Sequence, residues 1–357
     1  MDNLSRYFKN KKILITGHTG FKGTWLTLLM LVLGAKVMGI SYGKKTKPSL
    51  FNILNLEKKI LNKNLDISNL NKLKKTINKF QPNFIFHLAA EAIISRAYLD
   101  PLKTWKTNTI GTINILQILK SIKFNVVTVF ITSDKVYKNL ELNRAYCEND
   151  ILGDHDPYSA SKASADLAIQ SYFKSFLKKN KNIKIAIARA GNVIGGGDWS
   201  LNRIVPDCMS KWSQKKILKI RNPNSTRPWQ HVFDVILGYV ILAIKLKNSK
   251  KINGEPFNFG PSKSYNFKVI SLIKNFKKYW PYGKISIQKN KNFKEATLLQ
   301  LNSKKSKKIL KWKSKLNLKD TIYLTGIWYK RFYEKKVDMY KFSLLQLENF
   351  LRNKKLK

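Results

Sequence analysis

Six short runs rich in β-branched and apolar residues recur through the first 192 residues, with segments of helical spacing between them. The runs are KKILITG (11–17), KVMGISY (36–42), LNKNLDIS (61–68, ending as a strand at Asp66), FIFHLAA (84–90), VVTVFITS (126–133) and IKIAIARAGN (183–192). The intervening FKGTWLTLLMLVLGA (21–35) reads as a helix closed by glycine. NLNKLKKTINKF (69–80) sets Leu70, Leu73, Ile77 and Phe80 on one helical face, and residues 102–121 and 157–178 are further helices. Near-continuously apolar strands alternating with helices fit one architecture, a doubly wound parallel α/β sheet covered on both faces. Such a sheet binds ligands beyond the carboxyl ends of its strands. Gly17, Asp66, His87–Ala90, Ser133–Lys135 and Ala190–Asn192 all fall there.

After Val193 the rhythm changes. GGGDW (195–199) is a loop, a helix covers 204–215, ILKI (217–220) is a strand, and 234–247 is a helix. PFNFG (256–260) and KISIQK (284–289) are strands in a mainly helical remainder, and the terminal LRNKKLK is expected to fray. The expected division is a dinucleotide-binding domain over 1–192 and a smaller, mixed but mainly helical substrate domain over 193–357. The strand near 256–260 is a candidate to return to the first sheet.

A chain of 357 residues with 43% hydrophobic content can bury a sizeable core. No apolar run approaches the ~18 residues of a membrane span; the longest, Trp25–Leu33, is far too short. The N-terminus has no signal-like apolar stretch, so a cytoplasmic enzyme is expected. Cys147 and Cys208 lack metal-type spacing, which points to reduced thiols and no metal. The net charge is +47, from 68 basic and 21 acidic residues. These charges are mostly lysines scattered among asparagines and isoleucines, without aromatic-interleaved basic motifs. The balance by itself favours nucleic acid or an anionic membrane surface, but the scattered pattern argues against specific nucleic-acid binding; a nucleotide substrate, itself an anion, would also be drawn to this surface, and neither a nucleic acid nor a membrane is expected as partner.

TGHTGFKG (16–23) carries Gly17, Gly20 and Gly23 between the first strand and its helix. Gly17 permits a tight turn, Gly20 lets backbone approach a pyrophosphate, and Gly23 allows close helix packing. His18 and Lys22 either contact cofactor phosphate or face solvent. The acid expected roughly 20 residues on, for a ribose, is missing between Lys36 and Leu56. Lys44 and Lys45 stand there instead, which by charge tilts toward NADP, while Asp66 is placed to bond an adenine. YSASK (158–162) puts Tyr158 and Lys162 one helical turn apart on one face. The lysine ammonium, with a positive nicotinamide ring, would favour the phenolate and make Tyr158 a usable base. Ser133 would complete the set by bonding the hydroxyl that is oxidised.

Gly17–Gly23, Asp66, HLAAE (87–91), Asn108, Ser133 and Tyr158–Lys162 together resemble the extended short-chain dehydrogenase/reductase superfamily. GHTGFKG, SDKVY, ENDILGDHDPYSASK, ARAGNVIGGGDW and RPWQHV narrow the resemblance to its CDP-glucose 4,6-dehydratases, from about Lys11 to Lys330. Asp154 departs from that pattern, which has glycine there. The resemblance implies a Rossmann fold, NAD as cofactor, CDP-glucose as substrate, a homodimer formed by the helices over 102–121 and 157–178, and a role in deoxysugar supply. It implies that Gly17, Thr19, Gly20, Phe21, Lys22, Gly23, Asp66, Ile67, Leu88, Ala89, Ala90 and Asn108 hold NAD, together with Tyr158 and Lys162. Ser133, Asp134, Lys135, Tyr158 and Lys162 are the catalytic candidates, and Asn192, Arg203 and Arg227 the substrate clamps. Trp199 or Trp229 would line a base pocket, whereas His231 is expected in packing and His155 has no evident role.

Such a reaction oxidises C4 of the sugar so that the C5 proton becomes acidic. Water then leaves across C5–C6, and the hydride returns to C6. One group must take the C5 proton and another must protonate the leaving hydroxyl. Asp134 and Lys135 are the candidates, with the assignment open. Asp134 has to keep a proton to give, and Lys135 has to lose one to accept. Burial works in both directions, and an ion pair between the two would oppose both.

Overall fold

The computed structural model describes residues 2–43, 46–141, 144–261, 266–288 and 299–354. Lys44 and Lys45 lie outside them. The first half runs α1 (Asp2–Phe8), β1 (Lys12–Thr16), α2 (Phe21–Val32), β2 (Lys36–Ser41), α3 (Leu50–Ile53), β3 (Leu61–Asn64), α4 (Leu70–Phe80), β4 (Phe84–His87), α5 (Ile94–Leu99), α6 (Pro101–Trp105), α7 (Gly111–Ser121), β5 (Val126–Ile131), α8 (Pro157–Tyr172) and β6 (Ile183–Ala190). The second half runs β7 (Val193–Ile194), α9 (Ile204–Ser213), β8 (Leu218–Ile220), β9 (Thr226–Pro228), β10 (Gln230–His231), α10 (Val232–Asn248), β11 (Pro256–Phe259), β12 (Asn266–Lys268), α11 (Val269–Phe276), β13 (Ile285–Ile287), α12 (Leu318–Glu334) and α13 (Met339–Leu351).

Seven parallel strands form the main sheet in the order β11-β6-β5-β4-β1-β2-β3. The order reverses between β1 and β4, and the crevice at that switch is where such sheets bind nucleotides. Strand alternation splits the core into two layers. Ile13, Ile15, Phe84, Phe86, Val127, Val129 and Ile131 face α2, α10 and the C-terminal region. Leu14, Ile85, Phe130, Ile185 and Ile187 face α4, α7 and α8. β11 pairs with β6, so the 256–260 segment does return to the first sheet. The first of these core layers continues without a break into Trp328, Tyr329 and Phe350, so the C-terminal region shares a core with the sheet.

Local chemistry sets the register of the site helices. Asp156 caps α8 by accepting from the Tyr158 and Ser159 amides at 3.0 Å, with Pro157 at the first helical position. Asp100 and Pro101 do the same for α6. The helix expected over 102–121 starts at Pro101 and contains a π-helical turn, Lys106–Ile110, before α7. The helix expected over 157–178 likewise ends in a π turn, Phe173–Leu177. A π turn adds one residue to the helical circuit, which apolar spacing does not encode. β3 stops at Asn64, so Asp66 sits in the turn beyond it.

Candidate active site

Gly17 has φ +75°, and a Cβ there would meet the Ala89 backbone at 2.7 Å. A Cβ on Gly23 would overlap the Gly17 carbonyl. At Gly20 the protein itself leaves room: a Cβ would meet only Gly17 O, at 3.4 Å. The protein makes no demand for glycine at that point, which fits a ligand backbone approaching from outside. Gly20 is the N-cap of α2 and gives no side-chain cap, and the first turn holds no acid, so first-turn N–H groups are left for an anion. These residues fit a dinucleotide pyrophosphate. The Thr19 amide is already directed at Ser41 Oγ, at 3.3 Å.

His18 is buried and does not face phosphate or solvent. Its ring bonds Asn62 Oδ1 at 2.8 Å and Ser41 Oγ at 3.1 Å, and a Cβ on Gly39 would overlap it. His18 thus pins the loop to β2 and β3. The half-buried Lys22 has its pKa lowered to about 8 by burial and by Arg203, against the pull of Asp134 and Asp198. Those partners place its ammonium within electrostatic reach of the strand ends as well as the glycine loop. Asp66 accepts from the Ser68 amide at 2.8 Å. The Ile67 side chain is buried against Gly111, and its carbonyl accepts from Asn114 at 3.0 Å.

Asn108 lies in the π turn and is fully engaged. Its Oδ1 accepts from the Glu91 amide at 2.8 Å, and its Nδ2 donates to Glu91 O at 3.1 Å and Ser161 Oγ at 2.9 Å. It ties the half-buried Leu88–Ala90 loop to α8, so it shapes the cofactor side through that loop. His87 sits behind the loop between Thr16 Oγ1 (2.8 Å) and Thr112 Oγ1 (3.1 Å). Burial, then Lys162, lowers its pKa to about 3, so it is neutral.

Ser133, Asp134, Tyr158 and Lys162 are brought together and buried. Tyr158 is hydrogen-bonded to Ser133, and Ser133 Oγ donates to Asp134 Oδ1 at 2.9 Å. Lys162 Nζ donates to Ile131 O at 3.3 Å. The expected lowering of the Tyr158 pKa by Lys162 is not what the chain alone produces. Burial holds the phenol above its ordinary value, with Asp134 and Asp156 adding to the effect; the Ser133 hydrogen bond and Arg203 oppose it. Lys162 is itself lowered to about 7 by burial and by Lys22. The positive charge of a bound nicotinamide is what remains to favour the phenolate.

That lysine carries a testable cost. Above its unfolded pKa of ~10.4, Lys162 is neutral whether folded or not. As pH falls, the unfolded chain takes up a proton that the folded chain refuses until pH nears 7, so stability drops across that window and then levels. Lys162→Met is expected to gain roughly 2 kcal/mol at neutral pH, after loss of the Ile131 bond is set against the relief of burial. The gain should shrink toward zero as pH approaches ~10. Thermal melts of both proteins across that range check it.

Asp134 begins a short 3-10 turn after β5, and its Oδ2 rests against Gly191, where a Cβ would overlap it. The half-buried Lys135 donates its amide to Ser133 Oγ at 3.2 Å. Among the described residues no ion pair joins Lys135 to Asp134 or to any other acid, so neither is neutralised by the other.

On the substrate side, Arg203 bonds Asp198 Oδ2 at 3.2 Å and Ala92 O at 3.4 Å, bridging the loop after β4 to the GGGDW loop. Its charge reaches Tyr158. Asn192 has φ +28°, and its carbonyl accepts the Gln230 amide at 3.2 Å, which joins β7 to β10. Arg227 lies on β9, and its Nη1 donates to Thr226 O at 2.8 Å. Neither tryptophan is left open to stack on a base. Trp199 packs among Trp328, Tyr329 and Phe332, and Trp229 donates to Phe267 O at 3.3 Å. Both are more than nine-tenths buried, Trp199 against α12 and Trp229 beside β12. His231 is buried, caps α10 and packs edge-on to Phe233, as expected of a packing residue.

Three residues of consequence escaped the sequence reading. Arg189 and Asp166 form a fully buried ion pair, with Nη2–Oδ1 2.7 Å and Nε–Oδ2 2.9 Å. Asp166 also accepts from Thr132 at 3.1 Å, and Arg189 donates to Tyr137 Oη at 2.8 Å, which locks the strand end carrying Ser133 to α8. The signal was available: Asp166 follows Tyr158 and Lys162 at the same four-residue step, and Arg189 is a lone charge in an apolar strand. Gln230, the third, left no such signal.

A dinucleotide loop at the switch point and a Ser-Tyr-Lys set on the next strand end and helix define an extended short-chain dehydrogenase/reductase. Within that class the chain belongs to the GDP-mannose 4,6 dehydratase family, whose model matches residues 14–325. A CDP-glucose 4,6-dehydratase of Salmonella typhimurium is 35% identical over 329 residues, covering 91% of this chain and 92% of its own length. The fold matches the crystal structure of a dTDP-glucose 4,6-dehydratase of Bacillus anthracis in complex with NAD, with TM-score 0.75 and 21% identity over 93% of this chain and 99% of that one. It also matches an epimerase of Methanothermobacter thermautotrophicus, with TM-score 0.79 and 20% identity over 94% and 97%.

Proposed function

We propose that the chain is an NAD-dependent CDP-glucose 4,6-dehydratase, a hydro-lyase converting CDP-glucose to CDP-4-dehydro-6-deoxyglucose and water. The observation that carries this is the Ser133-Asp134-Lys135 strand end bonded to Tyr158. On this reading two proton-transfer groups stand beside a redox set, and the chain is similar to an enzyme of that name. NAD bound along the glycine loop would accept a hydride from C4 and return it to C6. Tyr158 takes the C4 hydroxyl proton, Ser133 holds that hydroxyl, and Lys162 supports the phenolate and the ribose. Of Asp134 and Lys135, one removes the C5 proton and the other gives a proton to the C6 hydroxyl as the C6–O bond breaks. Arg203, Arg227 and Asn192 hold the diphosphate and sugar; guanidinium groups suit that clamp because they bind bidentately. The Asp66 carboxylate is assigned to the adenine side and Gly17–Gly23 to the pyrophosphate. The first half of the chain with β11 is assigned to the dinucleotide, and the bulk of 193–357 to the sugar nucleotide. Incubation with CDP-glucose and NAD, followed for keto-sugar, tests the assignment.

A homodimer is part of the proposal. Tyr98, Leu99, Leu102, Trp105, Leu167 and Phe176 are exposed on or beside α5, α6 and α8, which pack together. An apolar patch of that kind marks a protein contact. Light scattering should give the mass of two chains, and Leu102→Asp should shift it to one. Among the described residues no helix is long and apolar enough to cross a membrane. We place the enzyme in the cytoplasm, supplying deoxysugars for surface polysaccharide.

A further inference from the structure

The turn Asp134–Val136 is tied at both ends to one buried ion pair, Asp166–Arg189. Before the turn, Thr132 Oγ1 donates to Asp166 Oδ2 at 3.1 Å. After it, Tyr137 Oη accepts from Arg189 Nη1 at 2.8 Å. Asp166 belongs to α8, the helix of Tyr158 and Lys162, and Arg189 to β6. The pair therefore fixes the turn that carries Asp134 and Lys135 relative to the redox helix.

The tie at Tyr137 is specified down to the direction of its hydrogen bonds. Asn258 on β11 is fully buried, and its Nδ2 donates to two carbonyls, Tyr146 O at 3.0 Å and Asn302 O at 3.4 Å. Turning that amide over would set Oδ1 against both carbonyls, so Oδ1 faces Tyr137. Tyr137 Oη donates to it at 2.8 Å while accepting from Arg189. Burial holds this phenol well above its ordinary pKa, so it stays neutral and takes no part in proton transfer. β11 is fixed to β6 in turn, because the Gln230 amide bonds Phe259 O at 2.9 Å and Gly191 O at 3.0 Å. The Tyr137 ring stacks on Tyr146 with centroids 5.3 Å apart, and backbone bonds to Gln300 and Asn302 hold Tyr146. Packing alone would be served by phenylalanine at 137; the hydroxyl adds two bonds of fixed direction.

The two ties lie at unequal distances from the two half-reactions. Thr132 adjoins Ser133, which has further holds in Tyr158 and in the Lys135 amide. Lys135 stands nearer Tyr137, and among the described residues its side chain has no ion pair to steady it. We propose that Tyr137 is a positioning residue for the elimination, holding the Asp134–Lys135 turn through its hydroxyl, whereas Thr132 steadies Ser133 for the oxidation. The inference rests on the proposed dehydratase activity, and it is the same whichever of Asp134 and Lys135 gives the proton.

Tyr137→Phe keeps the ring, its stack on Tyr146 and the backbone bridge to Leu152, and removes only the hydroxyl. With CDP-6-deoxyglucose, which can be oxidised at C4 but has no C6 hydroxyl to lose, the variant should reduce the cofactor at the wild-type rate. With CDP-glucose, KM should hold, water loss should fall roughly 10- to 100-fold, and reduced cofactor should accumulate. Thr132→Val removes the other bond and should do the reverse, slowing cofactor reduction with both sugars and leaving no build-up. Equal losses of oxidation and water loss in Tyr137→Phe would make Tyr137 merely structural, and unchanged water loss would equally overturn the proposal. So would the same response from both variants. Should Tyr137→Phe fail to fold, hydrogen exchange in the wild type with NAD bound still decides the matter. The peptide spanning 132–138 should be as protected without CDP-glucose as with it, and protection gained only on adding CDP-glucose overturns the proposal. A wild type inactive on CDP-glucose would refute the dehydratase reading instead, a separate outcome.

Discussion

Tyr158→Phe should lower keto-sugar formation about 10³-fold, with little change in binding of CDP-glucose. In the proposed mechanism the phenol takes the proton of the C4 hydroxyl as the hydride leaves. Burial holds that phenol above its ordinary pKa, and the Ser133 hydrogen bond and Arg203 only partly offset the effect. The base therefore works only when the positive nicotinamide lies beside it, which couples deprotonation to cofactor binding. Because oxidation is the first step, the variant should show no reduced cofactor on mixing with substrate. A variant that retained full turnover would remove Tyr158 from the redox step.

Asp134→Asn and Lys135→Met should produce the opposite spectrum. Each leaves Ser133, Tyr158 and Lys162 in place, so C4 oxidation proceeds, but water loss should fall by about 10²–10⁴-fold. Reduced cofactor should build up on the enzyme, visible by its absorbance. The absence of an ion pair between the two side chains makes this separable: removing one does not strand a bonded partner of opposite charge. A Lys135→Met enzyme that eliminates water at the wild-type rate would exclude Lys135 from the mechanism.

Contrasting spectra of that kind would divide redox and elimination steps around SDK, residues 133–135, and much of the fold that positions this segment was legible in the chain. The parallel sheet follows from apolar runs alternating with helical spacing, and the glycine loop from its place between β1 and α2. Tyr158 and Lys162 share a helix face because Asp156 and Pro157 set where α8 begins. These are local signals. The π turn that delivers Asn108 to the Glu91 loop is not local, since its partners Glu91 and Ser161 are 17 and 53 residues away. Tryptophans that looked suited to a base are core, because the sequence carries no mark of α12 closing over Trp199 or of β12 beside Trp229. Gln230 was invisible for a similar reason: its orientation is fixed by the carbonyls of Gly191 and Phe259, which chain order alone does not bring near.

Side-by-side turnover of CDP-, dTDP- and GDP-linked sugars with NAD, followed through loss of water and keto-sugar formation, decides which nucleotide sugar the enzyme dehydrates. CDP-glucose should be dehydrated to the 4-dehydro-6-deoxy product well ahead of the other two. Faster dehydration of a dTDP or GDP sugar, or inversion at C4 without loss of water, would contradict it.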